Sequence, residues 1–544
     1  MKKTFLLSCL MLAAMPVMAA YTGHVYVDKN KNGVFDQSEK PLAGIKVSDG
    51  LNVVETAADG SFTLPGHERE RFIFITTPSG YKTFNRHYHK IEKKQSGYDF
   101  GLIPYSGRIR KNGSHRYIHI ADTEIFNTEN HADWVNNVRD YARNEQAAFI
   151  IHTGDICYEK GLKAHIKLMN TENMDCPVFY CIGNHDLVKG KYGEELFESI
   201  YGPVYYSFDA GNVHYVVTPM PGGDHAPGYT SDDVCRWLKN DLAHIRPGTP
   251  VVVFNHDLLT YEDTFIFKSK NAGSINLNEY NLKAWVYGHW HINYMKKQGD
   301  VYSVCTSSLD KGGIDHSTTA FRVMHVDSKG DFTSELRYTY LDKNICIASP
   351  AGVMASGVLP VAVNVYSSVS PVREVLYTCL ADGKPVLKNK RLLQSTDWSW
   401  NGELPLSHKY VGKELTLRVT ARFNNGEIAE AESNFICRTE KAVPLFSADW
   451  DNLSGNAKHS APVSAPLNLP LQLAWTNNVG ANLYMTSPLI HKGKVIVASV
   501  DEDLKGVGHV YALNGKDGTI LWSCPVRNSI KNSIAVDSDI VFAQ

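Results

Sequence analysis

From Tyr21 to about Tyr105, apolar and polar positions alternate over short runs. His24-Val25-Tyr26-Val27, Ile45-Lys46-Val47 and Phe72-Ile73-Phe74-Ile75 are separated by Gly, Asp and Pro turns. A period of two marks strands, so residues 21–105 are predicted to form a small β-sandwich module. Between Arg108 and about Tyr340 the pattern changes. Continuous apolar runs at 117–120, 148–152, 178–182 and 251–254 alternate with helical repeats at 133–144 and 231–242. This predicts a layered α/β domain over residues 106–342. Strand alternation returns at 361–366, 374–379 and 415–421, which predicts a second β-sandwich over residues 346–440.

Residues 445–544 contain a repeat. Trp475 recurs as Trp522, and Ser487-Pro488-Leu489-Ile490 with Val495-Ile496-Val497-Ala498 is echoed by Ser533-Ile534-Ala535-Val536 with Ile540-Val541-Phe542-Ala543. A period of about 46 residues falls in the propeller range. The run from His509 to Trp522 resembles the blade signature of quinoprotein-like β-propellers. One blade and the start of a second do not close a ring of at least about four. The expectation is therefore an incomplete β-propeller in which the chain stops; a complete one would offer a surface for a protein or glycan.

The 544-residue length exceeds the roughly 250–300 residues at which single cores stop growing, in keeping with several domains. A formal net charge of −2 supplies no basic field for nucleic acid or anionic lipid. Residues 1–20 read as a signal peptide: Lys2 and Lys3, an apolar stretch over 5–14, then Val17-Met18-Ala19. The mature protein is expected to begin near Ala20 or Tyr21 and to be periplasmic or secreted. Only about four apolar residues precede Cys9, too few for an export core, which argues against lipid anchoring. No later stretch approaches the roughly 20 apolar residues of a membrane span. The cysteines beyond Cys9 show no CxxC spacing and do not read as a disulfide framework.

Five segments of the middle region place Asp, Asn or His at the end of an apolar strand, where ligands of open α/β sheets gather. They are Ile120-Ala121-Asp122-Thr123-Glu124, Thr153-Gly154-Asp155, Gly183-Asn184-His185-Asp186, Phe254-Asn255-His256-Asp257 and Tyr287-Gly288-His289-Trp290-His291. Singly each is an ordinary turn; together, in this order, they resemble the calcineurin-like metallophosphoesterases over roughly residues 110–340. The resemblance implies a first metal held by Asp122 and His291, a second held by Asn184, His256 and His289, and Asp155 bridging them. It also implies that His185 protonates the leaving oxygen, with Asp186 orienting its imidazole.

Elementary chemistry agrees with that reading. Two divalent ions roughly 3.5 to 4 Å apart bind a water, lower its pKa and clamp the phosphoryl oxygens. The mixed His, Asp and Asn set favours Mn, Fe or Zn over Mg. Glu124 stands where the family usually has a His; as an oxygen donor it would make the first site harder and more negative, and pointing away it would leave that site weak. The expected function is hydrolysis of a phosphomonoester or phosphodiester by metal-activated water in a dinuclear site. The alternative is a binding or scaffold protein that keeps the fold without turnover.

Asp28, Asn30, Asn32, Val34, Asp36 and Glu39 occupy the ligand positions of a twelve-residue calcium loop with Gly33 at the sixth. Strands flank it, so it resembles calcium loops of bacterial β-sandwich repeats rather than an EF-hand, and a structural calcium is expected. His225 and Tyr229, in a Gly- and Pro-rich loop, are candidates for lining the substrate cleft. His87 and His89 share one face but lack a third ligand, which favours a surface or interdomain role. Residues 108–116 read as a solvated basic linker.

Overall fold

The computed structural model describes residues 21–93, 95, 97–440, 449–460, 469, 471–483, 486–500 and 507–544. The predicted signal peptide lies outside the described residues.

The middle region is built on two facing sheets. One runs Val178–Tyr180, Phe149–His152, His115–Ile120, Ala320–Val326 and Phe332–Tyr338; its first three strands are parallel and the last two antiparallel. The other runs Tyr206–Ala210, Val213–Val217, Val251–Phe254, Leu282–Tyr287, Val301–Cys305 and Tyr294–Gln298, with four parallel strands inside and an antiparallel strand at each edge. Side chains alternate across each strand, so one face can meet the opposite sheet and the other a helix. Along His115–Ile120, Tyr117 enters the core between the sheets, while Ile118 and Ile120 pack with Trp134, Val138 and Tyr141 of the helix Ala132–Asn144. Between the sheets Tyr117 stacks on Phe149 at 4.7 Å, Phe149 meets Phe208 edge-on at 4.9 Å, and Tyr215 stacks on Phe254 at 5.7 Å. Such geometries add stabilisation beyond the area they bury. Helix Ser231–Leu242, opened by a Thr230–Asp233 capping box, buries Val234, Trp237 and Leu238 on the second sheet.

The N-terminal module is a β-sandwich of its own, with Val25, Val47, Ile73, Ile75 and Leu102 in its core. Its strand Phe72–Ile75 is buried on both sides. Ile73 and Ile75 face the module's core, whereas Phe72 and Phe74 join the core of the α/β region, where Phe74 meets Trp237 at 6.3 Å. His87 follows the same logic: its ring packs on Tyr206 at 4.5 Å, while His89 meets the Asp99 carbonyl, so the pair does not chelate. The 108–116 stretch is not a free linker. Arg108 bonds the Ala142 and Ala147 carbonyls and Asp175, and Arg116 pairs with the buried Glu145, because carbonyls and acids around the end of the helix Ala132–Asn144 supply acceptors within reach.

One ion-pair cluster joins the module to the α/β region. Arg71 lies 2.7 Å from Glu194 and 2.8 Å from Glu198, both buried, and its guanidinium covers the Tyr192 ring at 4.6 Å. Glu194 also accepts from the Gly228 N–H at 2.8 Å. Arg71→Met should lower stability by about 3 kcal/mol, the low end for stranding a buried charge because the guanidinium still reaches solvent. Urea unfolding checks this; an unchanged midpoint would show that the cluster carries no net stabilisation.

Further along the chain, Asn344–Ser349, Val358–Tyr366, Leu393–Gln394 and Ser399–Pro405 form one sheet. It faces a five-stranded sheet containing Val372–Ala381, Glu414–Phe423 and Ile428–Cys437. The last described segments make one four-stranded meander, from Leu489–His491 to Ile520–Val526, and a hairpin of Ala535–Asp537 with Ile540–Phe542. No closed propeller ring is formed among the described residues. The cysteines from Cys157 to Cys524 are all free thiols.

Candidate active site

The five segments meet at the carboxyl ends of the parallel strands. Asp122 follows His115–Ile120, Asp155 follows Phe149–His152, Asn184 and His185 open a single 3-10 turn after Val178–Tyr180, His256 follows Val251–Phe254, and His289 and His291 follow Leu282–Tyr287. Asp122, Glu124, Asp155, His289 and His291 all have left-handed backbone, with φ between 43° and 66°. Non-glycine residues take that conformation at a cost and concentrate it at functional sites. Close approach of the loops needs glycine at 183, where a Cβ would lie 2.2 Å from Asp155 Oδ1 and 2.3 Å from its amide nitrogen.

Asp155 and His256 form the buried centre, with His256 Nε2 3.1 Å from Asp155 Oδ2. Ligand atoms of Asp155, His256 and His289 lie within 4.8 Å of one another. His256 Nδ1 donates to the Thr153 carbonyl at 2.7 Å, which fixes the tautomer and aims Nε2 at the cluster. On the other side His291 Nε2 is 3.4 Å from Asp122 Oδ1 and 3.5 Å from Glu124 Oε1. Glu124 therefore turns towards the site, where Lys311 Nζ meets its other oxygen at 2.8 Å. Asn184 Oδ1 is buried without a hydrogen-bond partner, and His256 Nε2 has only the Asp155 carboxylate beside it. Buried polar atoms are normally satisfied, and an unused amide oxygen and an imidazole nitrogen beside three carboxylates fit a divalent cation.

Burial pulls His256 down, but the adjoining Asp155 carboxylate overrides it and holds the imidazole up at about 9. Conversely, burial pushes Asp155 up while His256 and the His185 N–H bring it below the usual carboxylate range. The hydrogen bond that the His291 ring donates to Asp122, against the pull of burial, raises the pKa of His291.

The expected partner of His185 is corrected by the geometry. Asp186 is fully buried and accepts N–H bonds at 2.9 Å from Asp155, Cys157 and Gly183, stapling two ligand loops together. His185 Nδ1 instead meets Asp224 Oδ2 at 2.9 Å. Asp224 comes from the Gly-rich loop, whose own N–H bonds the Asn184 carbonyl at 3.1 Å. Nothing in the sequence around Asp224 marked it beyond its place in that loop. Its neighbours fare differently from expectation: Tyr229 is buried with its hydroxyl donating to the Met220 carbonyl, so it does not face substrate, and His225 is exposed with no side-chain contact to the cluster.

The calcium-type loop is satisfied internally. Asp28 accepts from the Asn32 and Gly33 N–H groups, Glu39 from Lys29 and Asp36, and the amides of Asn30 and Asn32 face Asp36. Val34 donates its N–H to Asn32 Oδ1. Asp315 caps Ser317, and His316 has left-handed backbone at φ 64°.

Two facing sheets thus gather acidic and histidine side chains that could hold a metal ion at their carboxyl edge. Residues 115–293 match the family model "Calcineurin-like phosphoesterase" and residues 29–104 match "N terminal of Calcineurin-like phosphoesterase". Over those residues the chain is similar to the calcineurin-like phosphoesterases. Purple acid phosphatase 13 of Arabidopsis thaliana is 26% identical over 215 residues, covering 37% of this chain and 36% of that protein's length. Among solved structures, GAP50, the anchor in the inner membrane complex of Plasmodium, aligns at 14% identity and TM-score 0.28 over 41% of this chain and 84% of its own. A putative 5'-nucleotidase from Staphylococcus aureus aligns at 14% identity and TM-score 0.26, over 41% and 53%. No helix among the described residues is long and apolar enough to cross a membrane.

Proposed function

We propose that this protein hydrolyses a phosphomonoester or phosphodiester at a dinuclear metal site. The observation that carries the reading is the convergence of buried Asp122, Asp155 and His256 with half-buried His289 and His291, beside the orphaned Asn184 Oδ1. Asp122, Glu124 and His291 would hold one ion, Asn184, His256 and His289 the other, with Asp155 shared. When bound, the ions supply an activated water and neutralise charge on the phosphoryl group. The chain's own part is to aim the ligands and move a proton. Thr153 fixes the His256 ring, the Asp186 staple fixes the Asp155 and Asn184 loops, and Asp224 holds His185 Nδ1, which leaves Nε2 to protonate the departing oxygen.

p-Nitrophenyl phosphate and bis-p-nitrophenyl phosphate, each with and without Mn, test this. Metal-dependent turnover of either supports the enzyme. Absence of turnover in protein that elemental analysis shows to be metal-loaded would make it the binding protein, a reading that the Glu124–Lys311 ion pair favours by neutralising the substituted ligand.

Export to the periplasm or beyond, from the predicted signal peptide, belongs to the same reading. So does a structural calcium in the loop from Asp28 to Glu39. Calorimetric titration of the whole protein should show calcium binding with a Kd on the order of 10⁻⁴ to 10⁻³ M, as in extracellular modules. Asp28→Ala should abolish it, and a flat wild-type titration would leave the loop as a hydrogen-bonded turn.

A further inference from the structure

Beside the metal ligands stands an aromatic shelf that the proposed hydrolysis does not use. Phe126 and Tyr158 are 56% and 45% exposed, and their rings stack on each other at 6.5 Å with 17° between planes. The Tyr158 ring is 5.4 Å from that of His185. Both side chains belong to the ligand loops, Phe126 two residues past Glu124 and Tyr158 three past Asp155. Tyr158 and Cys157 are consecutive non-glycine residues with φ of 56° and 74°. Burial ordinarily compensates such strain, yet here it holds a large apolar ring out in solvent. A strained backbone that presents an exposed ring beside reactive groups points to function rather than packing.

Ile314 adds another exposed apolar side chain near the ligand residues: it is 73% exposed, and its N–H bonds the His291 carbonyl at 2.9 Å. The shelf lies next to His185, where the organic group of the ester must sit if its oxygen is to be protonated there. Planar π-systems gain by stacking on such faces without needing hydrogen-bond readout.

We infer that the Phe126–Tyr158 shelf selects phosphoesters whose organic group carries a flat aromatic ring. This rests on the phosphoesterase reading above and narrows its substrate class. The test compares kcat/KM for phenyl phosphate with that for a fluorinated alkyl phosphate of matched leaving-group acidity, using Mn-loaded protein. It is paired with calorimetric binding of phenylphosphonate and methylphosphonate.

Wild type should prefer the aryl member in both assays. Phe126→Ala should lower the aryl-to-alkyl ratio roughly 3- to 10-fold, and Tyr158→Phe, which keeps the ring, should retain it. Equal changes on both members of a pair would overturn the shelf. If neither ester turns over, the hydrolytic reading falls, and the phosphonate ratio still decides whether the shelf binds rings.

Discussion

Asp155→Asn is expected to abolish hydrolysis and reduce bound metal while leaving the fold intact. Asp155 is 2% exposed; Oδ1 receives the His185 N–H at 3.0 Å and Oδ2 faces His256 Nε2 at 3.1 Å. An amide can keep the first contact, since its carbonyl oxygen still accepts. It cannot supply the negative charge that two cations and two neighbouring imidazoles call for. Removing one charge from a buried site also alters every electrostatic interaction around it. Metal content by elemental analysis should therefore fall with the rate. The circular dichroism spectrum should not change, because the Asp186 staple continues to hold the loops. Full activity in this variant would end the two-metal assignment.

The second large effect is expected at His185. Its Nδ1 is taken by Asp224, its backbone N–H by Asp155, and its ring is about one-third exposed at the mouth of the site. That arrangement leaves Nε2 free to face substrate rather than metal. General acids contribute typically about 10²- to 10⁴-fold, most where the leaving oxygen cannot depart unprotonated. His185→Ala should lose a factor in that range on an alkyl phosphoester and far less on p-nitrophenyl phosphate, with metal content unchanged. Asp224→Asn should show the same leaving-group dependence with a smaller loss, because it positions the imidazole without touching the ester. Equal loss on both substrates together with loss of metal would make His185 a ligand.

How far the sequence reveals this site depends on whether an atom's partner is nearby in the chain. Asp122, Asp155, Asn184, His256, His289 and His291 are legible because each closes an apolar run, and a run of that kind ends at one edge of a parallel sheet. The role of Asp186 is not, since adjacency to His185 suggests contact while the 3-10 turn sends its carboxylate inward to backbone N–H groups. Asp224, Lys311 and Arg71 reach the site region, or brace it, across 39, 187 and 123 positions of sequence. No local pattern encodes such pairings. Tyr229 misleads for the opposite reason: its Gly- and Pro-rich setting reads as surface, yet the ring and hydroxyl are both satisfied inside. The helix Ser231–Leu242 and the sandwich cores were plain because periodicity alone specifies them.

The strand Phe72–Ile75 has a consequence for how the chain reaches its native state. Its Ile73 and Ile75 face can close against residues of the module itself, but Phe72 and Phe74 have no complete cover until Tyr206–Ala210 and Trp237 have been made. At ribosomal rates of about 5–20 residues per second, that interval is roughly ten to thirty seconds. Throughout it the module presents a bare phenylalanine face on a paired strand, a surface that other nascent chains can cover as readily as its own. Substitutions that blunt Trp237 should therefore show first as insoluble protein, with the fraction that escapes retaining its metal and its catalytic rate.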